Sequence, residues 1–61
     1  MAEAINPREW IEIGHVAVRT RSVSVAARVA ARVKRTRQEG KHLGVEYVCL
    51  SIFRERLKQQ P

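Results

Sequence analysis

The chain has 61 residues, 44% of them hydrophobic and only 5% aromatic, and a formal net charge of +6. That length predicts one domain, residues 1–61, with a thin core and frayed ends at 1–5 and 59–61. A single cysteine, Cys49, excludes an intramolecular disulfide, and no spacing of His, Cys or carboxylates suits a metal or another cofactor. Aspartate is absent, His15 and His42 fall on separate elements, and no glycine-rich phosphate loop or nucleophile elbow is present, so no catalytic residue is assigned and an enzyme is not expected. Glu3 and Asn6 interrupt any leader-like apolar run, no stretch has the length of a membrane span, and the lone thiol fits a reducing cytosol.

In chain order, Asn6-Pro7-Arg8-Glu9 reads as a helix start, with Asn as cap, Pro in the first turn and Glu three residues after the cap. Glu9-Trp10-Ile11 also reads as a short strand or extended entry, with the helix then beginning near Glu12. Either way the helix is expected to end near Arg19-Thr20. Trp10, the largest apolar residue, is expected to anchor the core against Val29, Val33 and Phe53.

Thr20 to Ser24 forms the joint to a long basic helix, Arg21 to Gln38. On a helical wheel Val25, Ala26, Val29, Ala30 and Val33 gather on one side, with Ser24, Arg28, Ala31, Arg32 and Arg35 on the other. Ser22 or Ser24 suits the cap, Gly40 suits the stop, and alanine supplies helix propensity. Two helices so closely joined predict a helix-turn-helix-like corner with the second helix as reader.

After Gly40, the segment Lys41 to Leu50 is rich in β-branched and aromatic residues around Gly44, which predicts a short β-hairpin or one strand and a loop. Ser51 is then expected to cap a final helix with Ile52, Phe53 and Leu57 inward and Arg54, Glu55, Arg56 and Lys58 outward. The predicted fold class is α+β: a small winged-helix-like domain, helix-turn-helix followed by a β-hairpin wing and a C-terminal helix.

Charge is placed unevenly along this plan. Residues 1–18 carry −2, residues 19–42 carry eight Lys/Arg against Glu39 alone, and residues 43–61 carry +1. A concentrated basic patch points to a polyanion, with double-stranded DNA the expected partner. The residues expected at DNA are Arg19, Arg21, Ser22, Ser24, Arg28, Arg32, Arg35, Lys41 and His42. A membrane-surface helix is disfavoured because the apolar stripe is Val and Ala, and aromatics are too few for an RNA stacking platform.

The order of these segments resembles the small excisionases of temperate bacteriophages, the recombination directionality factors. EWIEIGHVAVRT resembles their opening, SVSVAARVAARVK is similar to their recognition helix, GVEYV resembles the Gly-x-Glu-Tyr strand of their wing, and LSIFRERL resembles the closing segment of related phage regulators. The resemblance runs from Pro7 to Leu57. It departs at Arg21, where a glycine is usual, and lacks both the tryptophan of the basic helix and a proline run before the wing. It implies a winged-helix DNA bender that assists a phage integrase in excision, in the cytoplasm of a bacterial host and on its nucleoid. It places Ser24, Arg28 and Arg32 in the major groove, and Lys41 and His42 near the backbone or minor groove. Transcription regulation by a phage or plasmid protein of the same fold, or a small basic protein masking an acidic host surface, are the alternatives. One reader helix covers few base pairs, so several copies are expected side by side. Arg54, Arg56 and Lys58 of one copy would then meet Glu3, Glu9 and Glu12 of the next, head to tail.

Overall fold

The computed structural model describes residues 4–61. The order is a 3-10 turn Pro7–Glu9, strands β1 (Ile11–Ile13) and β2 (Val16–Val18), helix α1 (Val23–Arg32), strands β3 (Glu39–His42) and β4 (Val45–Cys49), and helix α2 (Leu50–Gln59). All strand pairs are antiparallel, in the order β1-β2-β4-β3. The class is therefore α+β.

The expected first helix is a β-hairpin. Asn6 does cap a turn, its side chain accepting from the Arg8 N–H at 3.1 Å, but the helical run lasts three residues. Extended backbone begins at Trp10, as the alternative reading of this segment had it. Gly14 turns the chain with φ +58°, a left-handed value that costs glycine nothing. Period-two placement then sorts every side chain: Ile11, Ile13, Val16 and Val18 to one face, Glu12 and Ala17 to the other. Four β-branched residues in the eight from Ile11 to Val18 suit a pleated surface better than a helix. No helix therefore precedes α1 across a corner, and the helix-turn-helix expectation is replaced by strand-into-helix.

The two helices cover opposite faces of the sheet. Against one, Val16 and Val18 pack on Ala26 and Val29 of α1, with Ile11, Ile13, Val25, Ala30, Val33, Val45 and Tyr47 around them. Against the other, Ala17 and Val48 pack on Phe53 of α2, with Ile5, Trp10, Leu50, Ile52 and Leu57. β2 is the only described strand buried along its whole length, as a central strand covered on both sides must be. Trp10 meets Phe53, ring centroids 5.3 Å apart, but belongs to the α2 cluster. Val29 and Val33 lie beyond the sheet, so the expected packing of Trp10 on them is corrected.

α1 is also shorter than expected. Ser22 caps it, Oγ accepting from the Val25 N–H at 3.3 Å, and it ends at Arg32 with Val33 extended. The stop is not Gly40, which pairs with Tyr47 inside the sheet. His15, from the β1–β2 turn, donates from Nε2 to the Val33 carbonyl at 2.9 Å and takes up an acceptor the helix end leaves open. At α2 the residue in the cap position is Cys49, with Ser51 already inside the first turn. Ile5 and Gln60, both expected to fray, are joined: the Ile5 N–H donates to Gln60 Oε1, and Gln60 Nε2 donates to the Ile5 carbonyl at 3.2 Å. Residues 1–3 of the expected frayed arm lie outside the described residues.

Candidate nucleic-acid interface

α1 buries Ala26 and Val29 and turns Val23, Ser24, Ala27, Arg28, Ala31 and Arg32 outward. The outer face is thus a narrow lane of small side chains with two guanidinium groups at its edge. Small side chains let a helix backbone approach a groove, and guanidinium reaches phosphate or guanine. Arg21 stands exposed before the helix, Lys34 and Arg35 after it, and Lys41 on β3.

The carboxylates are elsewhere. Each of the five described glutamates is engaged by an arginine: Glu9 and Glu46 by Arg19 at 3.5 and 3.8 Å, Glu12 by Arg54 at 3.1 Å, Glu39 by Arg56 at 2.6 Å, and Glu55 by Arg37 at 3.8 Å. Strand parity explains the arrangement. Glu12, Glu39 and Glu46 occupy positions in register with the α2 face, so their partners come from α2 and from Arg19. Arg21, Arg28, Arg32, Lys34, Arg35 and Lys41 have no ion-pair partner among the described residues. Of these, Lys41 is in register with Glu46 and so stands on the α2 face, as Lys58 does on α2 itself, whereas the other five gather on α1 and the segments beside it.

Of the nine residues expected at DNA, the structure gathers Arg28, Arg32 and Ser24 on one exposed helix face. Arg19 is taken out of the set by its two carboxylates. Ser22 is occupied as the cap and lies 3.0 Å, Oγ to Oγ, from Ser24. Arg35 lies beyond the end of α1, not on its face. Arg21, Lys41 and His42 lie at the opposite end of the sheet from Arg35: β2 delivers the chain towards α1 beside the β3–β4 turn, with the Arg19 N–H donating to the Glu46 carbonyl at 2.9 Å. Lys34 belongs with Arg35 in the cationic loop, and no local signal reveals it, because the helical pattern runs on past Arg32, where α1 ends. A groove on the α2 side, between Trp10, Arg19 and Arg56, sets Arg19, Lys41 and Arg56 against Glu9, Glu39 and Glu46, so its formal charges cancel and it offers a polyanion no net attraction.

The charges expected to join neighbouring copies are also accounted for within one chain. Arg54 is held by Glu12 and Arg56 by Glu39, Glu9 is held by Arg19, and Glu3 lies outside the described residues. Lys58 alone of that basic set has no partner among the described residues.

Among the described residues no group of three or more His, Cys or Glu side chains is placed to hold a metal, and no helix is long and apolar enough to cross a membrane. No family model, curated protein or solved structure matches the chain.

Proposed function

We propose that this chain is a sequence-specific double-stranded-DNA-binding and bending protein, an excisionase-type accessory factor to a phage integrase with no catalysis of its own. α1 would read the major groove and the β3–β4 hairpin would act as the wing of a winged-helix-like arrangement. The observation that carries this reading is the partition of charge: every described glutamate is engaged by an arginine, while the small-residue face of α1 and its flanks carry cations with no ion-pair partner among the described residues. A solvated basic helix with no ligand would suffer the mutual repulsion of these cations for no return; a polyanion relieves it.

Binding of labelled duplex, followed by anisotropy as salt is raised, tests the reading. Log affinity is expected to fall linearly with log salt, by about 0.9 for each phosphate neutralised, with attachment-site sequence preferred over unrelated duplex. A chain that ignores duplex DNA at low salt, or binds an acidic protein with a salt dependence that DNA cannot compete, overturns it. Excess excision over integration with the cognate integrase, when the chain is added, distinguishes the excisionase role from transcription control.

A further inference from the structure

The β3–β4 hairpin closes through a two-residue turn, Leu43-Gly44, with His42 and Val45 paired on either side. Both turn residues have positive φ, +53° at Leu43 and +77° at Gly44, which makes the turn type I′. Asn, Asp or Gly is the residue such a first position favours, because a branched apolar side chain there strains the backbone. Leu43 is the only non-glycine with positive φ among the described residues. It gains nothing from burial in exchange, being 53% exposed. A lone exposed leucine needs no explanation; one that also opposes its own backbone does.

We infer, resting on the DNA-binding reading above, that Leu43 is an apolar wedge that enters the minor groove and partly unstacks a base step. Gly44 has no side chain, so the tip presents one large apolar group, with the cationic Lys41 two residues behind it. The tip points from the end of the sheet where α1 begins, and the other large exposed hydrophobic, Val23 at 66%, stands at that same end. A duplex read by the first turns of α1 would pass that end of the sheet, where the tip stands. Apolar wedges of this kind kink DNA by opening a step, and the cost of unstacking is recovered from the extra surface that the bent duplex wraps. The inference supplies the bending which an accessory factor with a single short reader helix requires.

Leu43→Asn tests it, because it creates the Asn-Gly pair that a type I′ turn prefers. The variant is expected to melt about 4–8 °C higher, as relief of roughly 1 kcal/mol would give in a domain of this size. Its affinity for duplex is expected to stay within about threefold, since phosphate contacts carry most of the binding. End-to-end energy transfer across the duplex should lose its bend signal, and 2-aminopurine at the step under the wing should return to the fluorescence of free DNA. Leu43→Met is expected to keep both signals. If the wild-type chain does not bind duplex, the inference falls with the DNA-binding reading. If it binds and Leu43→Asn still bends and unstacks DNA, the wedge alone is overturned. Loss of self-association in Leu43→Asn with bending unchanged would likewise overturn it, assigning the tip to a protein contact.

Discussion

Glu12 Oε1 accepts from Arg54 Nε at 3.1 Å, an ion pair between an edge strand and the helix that covers the far side of the sheet. Both side chains are well exposed, so the pair contributes little to stability, of the order of 0–1 kcal/mol. Its consequence lies in where it leaves the charge. With Glu12, Glu39 and Glu46 all in register with the α2 face, the sheet stands between these carboxylates and the outer face of α1, where Arg28 and Arg32 project. Arg54→Glu is expected to lower the urea midpoint slightly and to leave single-site DNA binding unchanged. Filling of two adjacent sites should be as cooperative as in the wild type, because Arg54 already has its partner at home. A marked loss of cooperativity in that variant would restore the head-to-tail contact.

The two-faced core makes a second prediction. Trp10 and Phe53 are in contact on one face, whereas Val29 lies on the other. Phe53→Ala, at a side chain 1% exposed, is expected to cost about 3–5 kcal/mol, and Trp10→Ala less because Trp10 is only half-buried. In a double-mutant cycle Trp10 and Phe53 should couple by about 0.5–1.5 kcal/mol, while Trp10 and Val29 should add within about 0.5 kcal/mol. Milder truncations, Phe53→Leu and Val29→Ala, keep the cycle measurable in so small a domain. Coupling of Trp10 to Val29 would mean that the sheet does not separate them.

These contacts also show which parts of the fold were legible. The stripe Val25, Ala26, Val29, Ala30, Val33 predicted the buried face of α1, and Gly44 between β-branched runs predicted the β3–β4 hairpin. Ile52, Phe53 and Leu57 predicted the inner side of α2. The hairpin β1–β2 was obscured because it is apolar nearly throughout. Glu12 is its only acidic side chain, and a strand covered on both faces has no alternation to display. The end of α1 was hidden for another reason: it is met by His15, 18 residues earlier in sequence, and no local signal marks Val33. The basic residues of the candidate site were legible as a patch. Their division into paired and unpaired sets was not, since it depends on which strand position faces which helix.

Cys49 titrates in an environment the sequence did not suggest. The Ser51 hydroxyl, 3.2 Å from its sulfur, holds the thiol below its ordinary 9.0; the Ser51 N–H and, more weakly, the Ile52 N–H at the start of α2 and the charge of Arg37 add to this, against the opposing effect of burial. Alkylation by iodoacetamide, followed across pH, should therefore reach half its limiting rate below 9.0, and Ser51→Ala should move the midpoint back up. The sign for stability follows. A folded-state value below the unfolded one means that the unfolded chain binds more protons between the two, so stability from this group is present above 9.0 and disappears as pH falls through the folded value. An alkylation midpoint at or above 9.0 would contradict the arrangement.

The last prediction separates readers from supports among the arginines. Arg28 and Arg32 project from α1 beside Ala27 and Ala31 with no ion-pair partner among the described residues, whereas Arg19 is held by Glu9 and Glu46. Removing a phosphate contact reduces the salt slope by about 0.9, and removing a base contact costs roughly 1–3 kcal/mol and relaxes sequence preference at that position. Arg28→Ala and Arg32→Ala should each do one or the other, and Ala27→Glu, which places a carboxylate in the middle of the lane, should abolish binding while preserving the melting temperature. Arg19→Ala should behave in the opposite way, leaving the salt slope intact while lowering stability slightly as the link between Glu9 and Glu46 is lost. Salt titrations of the four variants on one duplex decide the matter. Equal effects of Arg19 and Arg28 on the slope would show that DNA is held by total charge and not by the face of α1.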